Sequence, residues 1–145
     1  MENIAELVSE LCLKDANVAC GALKKLTEEC EENKEVYDFF DKYAEMIDNK
    51  NSYIRTRGLL LTAACAKWDS ENKINEIIDK YLVHVTDEKP ITSRQVIQAL
   101  PNIIKYKPEL KEKIAQALKN ADVSKYKETM APLIIKDINS VLKLI

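Results

Sequence analysis

Four cysteines and one histidine are the side chains of this sequence that most often serve catalysis or bind metals. The cysteines are Cys12, Cys20, Cys30 and Cys65, and their spacings of 8, 10 and 35 residues match neither a zinc-binding pattern nor a redox C-x-x-C pair. Because free cysteine is usually interior, we interpret them as reduced, mostly buried apolar side chains. His84 lies between valines and far from any cysteine in the sequence, which favours a packing role over general-base or thiol catalysis.

Acidic and glycine residues do not complete a site either. The paired glutamates at 28–29 and 31–32 are typical of a solvated helix end rather than of a metal site. Gly21 and Gly58 are the two glycines, and two separated glycines cannot form a glycine-rich phosphate loop. We therefore expect no metal ion, no cofactor and no enzymatic activity.

The composition is that of a soluble, helix-rich chain. Its 145 residues, 46% of them hydrophobic, suffice for one compact domain or a short solenoid. The net charge of -2 argues against generic nucleic-acid binding. No apolar run approaches the roughly 20 residues that cross a bilayer, and the acidic start lacks the cationic region of a secretory signal. We expect a single cytoplasmic domain over 1–145 with no membrane association.

Apolar residues recur at helical spacing along nearly the whole chain, and no stretch alternates with period two. A short phrase also recurs: Val18-Ala19 precedes Ala22, Ile54-Arg55 precedes Gly58, Ser93-Arg94 precedes Ile97, and Tyr126-Lys127 precedes Met130. Its copies are 36, 39 and 33 residues apart, and periods of this size are typical of helical repeats. Short polar joints favour antiparallel neighbours. The pattern predicts an all-α chain of stacked helix pairs.

Helix boundaries are predicted from caps and prolines. Ser52 is placed as an N-cap, and Thr92 with Gln95 has the spacing of a capping box. Pro101 and Pro132 lie inside apolar stripes, so each is expected to bend or end its helix.

The phrase, its period and the helix pairs around it resemble HEAT repeats, the armadillo-like α-solenoid family. The best unit reads "NSYIRTRGLLLTAA" and then "INEIIDKYLVHV", and the next reads "ITSRQVIQALPNIIKYKPELKEKIAQAL". The chain also resembles small bacterial HEAT-like proteins of unassigned function. The resemblance implies a short right-handed α-solenoid of about four antiparallel helix pairs. It further implies a non-catalytic protein–protein interaction module, an adaptor or scaffold that binds a macromolecular partner on a concave helical surface.

The predicted concave surface comes from the helices that carry the phrase, over 52–68, 92–107 and 124–143. These segments carry net positive charge, and the segments between them are net negative or neutral, so the inner face is mildly cationic. The candidate partner-binding residues are Thr56, Arg57, Lys67, Gln95, Gln98, Asn102 and Lys105. Arg55 and Arg94 occupy the phrase position, where the resemblance implies structural bridges between repeats, a role that suits the planar guanidinium.

Nucleic-acid binding along the cationic face is the alternative function. Trp68-Asp69 resembles the aromatic and carboxylate pair of HEAT-like DNA glycosylases, which would make the protein repair-like. The short chain and its weak positive field disfavour that reading, and Trp68 fits better in the core, on the stripe with Leu61 and Cys65.

The apolar C-terminal residues have two interpretations. Val141, Leu142, Leu144 and Ile145 either fold back onto Ile134 and Ile138, or form an edge that docks a partner or a second copy. We favour folding back, with the edge of Leu142, Leu144 and Ile145 as the alternative docking surface. The oligomeric state stays open.

Overall fold

A computed structural model describes residues 3–145. All the regular secondary structure in that range is helical. The α-helices are α1 (Ile4–Glu10), α2 (Ala16–Cys30), α3 (Phe40–Met46), α4 (Ser52–Ala64), α5 (Lys73–Leu82), α6 (Pro90–Tyr106), α7 (Lys111–Lys119) and α8 (Ala131–Leu142). Short 3-10 segments cover Lys34–Phe39, Cys65–Trp68, Val83–Thr86 and Pro108–Leu110. No residue within 3–145 belongs to a β-strand, so the all-α prediction is confirmed. Within the same range, no helix has the length and apolar character needed to span a membrane.

The chain divides into two compact units. Unit 1 ends at Ser70 and contains α1–α4, and unit 2 runs from Glu71 to Ile145 and contains α5–α8. The single domain over 1–145 and the solenoid arrangement of the helices stay predictions.

Asparagine and aspartate side chains start the helices of unit 1. The Oδ1 atoms of Asn3, Asp15 and Asn51 accept first-turn amides at 2.8, 3.0 and 2.9 Å, which satisfies donors that have no partner inside the helix. Ser52, the predicted cap, is instead the first residue of α4. Asparagine caps a helix at least as well as serine, so Asn51 is the N-cap and α4 begins one residue earlier than predicted.

Proline positions explain the boundaries of α6 and α8. Pro90 begins α6 and leaves Thr92 buried inside it, so the predicted Thr92–Gln95 capping box is wrong. Pro101 lies within α6 without ending it. Pro132 lies in the first turn of α8, where a missing N–H is harmless, and residues 123–130 form turns before it.

A glycine allows two helices of unit 1 to approach closely. α1 packs on α2, and both α2 and α3 pack on α4. A Cβ atom at Gly58 in α4 would lie 2.6 Å from the Met46 Cβ and 2.7 Å from the Tyr43 carbonyl oxygen, both in α3. Only glycine fits this contact without moving one of the helices.

In unit 2, α6 is the helix against which most other elements pack. It contacts α8, the Val83–Thr86 segment and the Pro108–Leu110 segment, and α7 contacts both α8 and Val83–Thr86. Val96, Ile97 and Leu100 of α6 are fully buried, as is Ile134 of α8. The apolar stripes of these helices therefore form the interior of the unit.

A lysine–aromatic pair binds the end of an earlier helix in unit 1. The Lys67 ammonium donates to the Glu31 carbonyl, and Trp68 Nε1 donates to the Cys30 carbonyl at 2.7 Å. These carbonyls lie at the C-terminus of α2, where no intrahelical donor remains and a cation is favoured.

The same arrangement occurs in unit 2. Lys125 donates to the Thr86 carbonyl and the Tyr126 hydroxyl to the Asp87 carbonyl, at the end of the Val83–Thr86 segment. The four bonds of the two pairs join residues 36 to 39 apart, which agrees with the period of the phrase. We name each pair with its two bonds a Lys-aromatic clamp. The unit 1 clamp joins the Cys65–Trp68 segment to the end of α2, and the unit 2 clamp joins the turns at 123–130 to the end of the Val83–Thr86 segment.

Two buried tyrosines differ in whether the hydroxyl has a partner. The Tyr43 hydroxyl donates to the Val36 carbonyl at 2.8 Å, whereas the Tyr81 hydroxyl makes no hydrogen bond within residues 3–145. A buried unpaired polar group costs about 1–3 kcal/mol. We expect Tyr81→Phe to raise the free energy of unfolding by about 1 kcal/mol and the matched Tyr43→Phe to lower it by a similar amount. Urea unfolding measures both; a loss of stability in Tyr81→Phe would contradict the prediction.

The same substitution should change the response to alkaline pH. Burial raises the pKa of Tyr81, so the folded protein keeps a phenol proton that the unfolded chain, with a pKa of about 10, releases. Above that pH the unfolded state binds fewer protons, and stability falls as the pH rises; below it, this group has no effect. Urea midpoints measured from pH about 9 to about 11 should therefore fall less steeply in Tyr81→Phe.

Candidate functional site

The predicted partner-binding residues are distributed over both units. Thr56, Arg57 and Lys67 belong to unit 1, and Gln95, Gln98, Asn102 and Lys105 belong to α6 of unit 2. Each group is treated with the helices of its own unit.

Two arginines at the start of α4 are buried and bind backbone carbonyls. Arg57 is 5% exposed and its Nη1 donates to the Leu11 carbonyl at 2.9 Å. Arg55 is 6% exposed and its Nη1 donates to the Asn49 and Lys50 carbonyls, in the loop before its own helix. Both guanidinium groups hold unit 1 together, and Arg57 is not available to contact a partner on an exposed surface.

The other two unit 1 candidates are half-buried. The Thr56 hydroxyl donates to the Ser52 carbonyl at 2.7 Å, one turn earlier in α4. Lys67 is part of the Lys-aromatic clamp, and its ammonium lies 5.0 Å from the centre of the Trp68 ring. These polar groups are therefore engaged within unit 1.

An exposed polar face joins α6 to α8 in unit 2. Arg94 Nε donates to Asp137 Oδ2 at 2.7 Å, and its Nη2 lies 3.4 Å from Oδ1 of the same carboxylate. Gln98 Nε2 donates to that Oδ1 at 3.4 Å. The hydrogen bond with Asp137 raises the pKa of Arg94. One carboxylate of α8 thus holds two side chains of α6 in a fixed geometry.

The remaining candidates extend this surface along α6. Lys105 is exposed, and its ammonium lies 5.2 Å from the centre of the Tyr106 ring. Gln95 and Asn102 are half-buried. On α8, Leu133 is 39% exposed and lies one turn before Asp137. We define the α6–α8 face by its exposed or partly exposed members, which are Arg94, Gln98, Lys105, Leu133 and Asp137.

The C-terminal residues do not fold back. α8 ends at Leu142, and the chain continues into a turn in which the Leu144 amide binds the Val141 carbonyl at 2.9 Å. Leu144 and Ile145 are 54% and 44% exposed. Folding back, the interpretation that we favoured, is therefore wrong for Leu144 and Ile145. The buried apolar face of α8, which includes Ile134, ends at Val141 within the same helix.

The groups considered for catalysis have internal partners. The Asp69 carboxylate is buried and accepts the Tyr37 hydroxyl at 2.6 Å, and Trp68 is half-buried. His84 Nδ1 lies 2.7 Å from a carboxylate oxygen of the buried Asp87, at the turn before α6. Within residues 3–145, no group of three or more His, Cys, Asp or Glu side chains is placed to hold a metal ion.

An open groove in unit 2 was not predicted from the sequence. Its volume is about 440 Å³, and it lies between α5, Val83–Thr86 and α7. Leu82, Val83 and Ala117 contribute to its lining, and Lys113 and Asp79 form an ion pair at 3.1 Å beside it. Val83 is 66% exposed, whereas the flanking Leu82 and Val85 are buried.

Cys30 and Cys65 are a pair of buried cysteines in unit 1. Cys30 Sγ donates to the carbonyl of Ala64, the residue before Cys65, at 3.4 Å. Cys20 is exposed and Cys12 half-buried, contrary to the expectation that most would be interior. All four are free thiols. Spacing in the sequence gave no signal of this pair, because the residues lie 35 apart on different helices.

No protein-family model, curated protein or solved structure matches this chain. The resemblance to HEAT repeats therefore depends on the recurring phrase and its period, and it bears on function only as a proposal.

Proposed function

We propose that this chain is a non-catalytic adaptor built of HEAT-like helix pairs, acting in the cytoplasm, and that the α6–α8 face binds a protein partner. The observation that carries the proposal is the contact of Arg94 and Gln98 with Asp137, which presents an exposed polar surface on two helices already held in register. The Lys-aromatic clamps, with bonds that span 36 to 39 residues, support the repeat architecture.

The α6–α8 face has the features of a preorganised binding surface. Arg94, Gln98 and Lys105 lie four and seven residues apart, so they share one side of α6. The Asp137 carboxylate that Arg94 and Gln98 share limits the freedom of these two side chains, which binding would otherwise have to remove. Leu133 adds exposed apolar area beside the polar groups, and such mixed surfaces are typical of non-obligate protein interfaces.

The arginines favour a protein partner over a nucleic acid. Arg55 and Arg57 are buried against backbone carbonyls, and Arg94 is paired with Asp137. Phosphate contacts supply most of the affinity of nucleic-acid binding and need cations directed outward. The guanidinium groups that would best bind phosphate are therefore committed within the units.

Charge reversal at one end of α6 tests the face, with a matched change on α7. Lys105 and Lys119 are both exposed lysines in the last turn of their helices. Replacing either by glutamate should therefore disturb the negative end of its helix dipole to a similar extent. A photo-crosslinking residue at position 105 should capture a discrete protein from lysate. Lys105→Glu should then weaken the affinity of that protein about fivefold, equivalent to ~1 kcal/mol, with Lys119→Glu near the unmodified value.

Two outcomes would contradict this assignment. Equal capture from crosslinkers at positions 105 and 119, or equal loss of affinity in the two glutamate variants, would show that the α6–α8 face is not the interface. Capture of nucleic acid at position 105, with affinity that falls steeply as salt rises, would favour the alternative function.

A further inference from the structure

We propose that a second copy of this chain docks on unit 2, with the exposed side of α8 from each copy lying in the open groove of the other. The groove beside Val83 and the side of α8 away from Asp137 are two surfaces that unit 2 leaves uncovered. They match in length, in apolar positions and in charge. Neither contributes to the α6–α8 face, so the contact between copies is independent of the function proposed above.

The groove lies between two helical walls that run in the same direction. Asp79 of α5 pairs with Lys113 of α7 at 3.1 Å, and a second bond with the same offset of 34 residues lies one turn earlier. This offset places Val83 beside Ala117, where the small alanine leaves a gap between the walls. From Lys113 to Ala121 the α7 side of the groove is roughly 12 Å long at the helical rise.

One side of α8 carries two aliphatic side chains that unit 2 does not fully cover. Ile135 is 45% exposed and Leu142 is half-buried. Because they are seven residues apart, they lie on the same side of the helix, roughly 10 Å apart along its axis. The buried face of α8 packs within unit 2 against α6 and α7, and this side lies outside that contact. We define the α8 ridge as the residues that share or flank this side, which are Ile135, Lys136, Asn139, Leu142 and Lys143.

The groove and the α8 ridge agree in length and in the nature of their side chains. Two anchors roughly 10 Å apart fit within a groove roughly 12 Å long. The buried Leu82 and Val85 contribute to the groove, and Val83, 66% exposed, lies at its edge. Docking removes Val83, Ile135 and Leu142 from water together, which is favourable for large aliphatic side chains. Apolar anchors on one side of a helix that lies in an apolar groove are a common mode of recognition.

The rim of the groove and the α8 ridge carry opposite charges. Lys113 neutralises Asp79, so Glu112 is the rim carboxylate that has no ion-pair partner within residues 3–145. Lys136 and Lys143 of the ridge are exposed and have no such partner within the same range. Docking therefore brings a ridge lysine within reach of an unpaired carboxylate, which favours this pairing of surfaces.

Two copies can satisfy both surfaces at once. Each copy has one groove and one ridge, so a two-fold axis that places one ridge in one groove also places the other pair. Ridge against ridge would bring the lysines of both copies together, and like charges in contact disfavour association. At the far end of the groove Asp122 and Lys125 carry opposite charges, so Glu112 sets the charge of the rim.

Photo-crosslinking between labelled and unlabelled full-length chains tests the contact directly. An unlabelled chain with benzoylphenylalanine at position 135 is mixed with the unmodified chain labelled with nitrogen-15, so the isotope shows which copy supplied each fragment. Cleavage after lysine and arginine, except before proline, places the groove residues in fragments that include 81–94, 114–119 and 120–125. We expect position 135 to link to these labelled fragments, with a yield that rises with protein concentration. Links confined to one copy, or to labelled fragments outside the groove, would overturn the proposal.

Aspartate substitutions at matched exposed residues test the assembly by sedimentation equilibrium. Val83→Asp and Ile135→Asp should each raise the dissociation constant of the dimer at least about tenfold, because a carboxylate would enter an apolar contact. Ile91 is 66% exposed, like Val83, and Leu133 is 39% exposed elsewhere on α8, so Ile91→Asp and Leu133→Asp should stay near the unmodified value. A monomer at every concentration up to about 1 mM, or equal loss in all four variants, would contradict the docking.

Charge exchange separates this contact from a general loss of structure. Glu112→Lys in one chain, and Lys136→Glu with Lys143→Glu in another, should each weaken the dimer, because like charges then meet at the rim. An equal mixture of these two chains should restore the unmodified affinity, since every groove then faces a ridge of opposite charge. Mixing Glu112→Lys with Lys119→Glu, a change on α7 outside the groove, should not restore it. A first mixture no stronger than either chain alone would show that the ridge does not occupy the groove.

Discussion

Replacement of Gly58 by alanine is expected to lower the free energy of unfolding of unit 1 by roughly 2 kcal/mol, although alanine is the better helix former. The added Cβ would lie 2.6 Å from the Met46 Cβ and 2.7 Å from the Tyr43 carbonyl oxygen. Both atoms belong to or adjoin the α3 backbone and cannot rotate away. Overpacking of a core costs about 1–3 kcal/mol, and we expect the upper part of that range because α3 itself must shift. The gain of about 1 kcal/mol in helix propensity reduces the net loss to roughly 2 kcal/mol.

Gly21 provides the matched control. It also lies within a helix, α2, but apart from its chain neighbours and the adjacent backbone of α2 itself no heavy atom lies within 4 Å of the position that its Cβ would take. Gly21→Ala should therefore raise stability by about 0.5–1 kcal/mol, the ordinary gain in helix propensity. Urea unfolding followed by Trp68 fluorescence reports on unit 1 for both variants. Similar changes in the two would show that the α3–α4 contact is looser than the structure has it.

Helical class and most buried positions could be predicted because they depend on local periodicity. The stripe of Val96, Ile97 and Leu100 is fully buried in α6, as its spacing required. A helix must bury one face, and residues three and four apart share that face wherever the helix finally packs. The pattern therefore predicts which side chains are interior without specifying their neighbours.

The side chains that the sequence misplaced are those whose partners lie far along the chain. Arg57 was assigned to an exposed surface, yet its guanidinium binds the Leu11 carbonyl, 46 residues earlier. Lys107, which no sequence pattern singled out, shows the same effect: it is 5% exposed, and its ammonium lies 2.6 Å from the Asn72 side-chain oxygen, 35 residues earlier. A long cationic side chain can bury its aliphatic stem where a carbonyl or amide oxygen accepts a hydrogen bond from its charged end. The position of a residue on its helix does not reveal where that acceptor lies.

The Lys-aromatic clamps show what additional signal was present. A lysine followed by an aromatic residue at 67–68 and at 125–126 is visible in the sequence, but its meaning comes from the two carbonyls that it binds. Those carbonyls lie at helix ends one period earlier, and the exact ends depend on 3-10 segments that apolar periodicity does not distinguish from α-helix. The spacing of the phrase could be read from the sequence; the side-chain bonds that span a similar distance could not.

The hydrogen bond between Tyr37 and Asp69 should have the second large effect on unit 1. The hydroxyl donates to the carboxylate at 2.6 Å, and both residues are 4% exposed. Hydrogen bonds to charged groups contribute about 1.5–3 kcal/mol, and a buried charge that loses a donor is costly. We expect Tyr37→Phe to lower the free energy of unfolding by about 2 kcal/mol, and Asp69→Ala by at least as much, since it removes the charged acceptor of this hydrogen bond.

A double-mutant cycle separates this bond from the other effects of each change. If the two groups act as a pair, Tyr37→Phe combined with Asp69→Ala should cost less than the sum of the single variants by about 1.5 kcal/mol or more. Urea unfolding of the four proteins, monitored by circular dichroism because Trp68 adjoins Asp69, measures the coupling. Additive losses would mean that the carboxylate is held by other donors. Asp69 would then remain a candidate for the chemistry suggested by its place after Trp68, whereas strong coupling makes it a structural anchor of the α4 end.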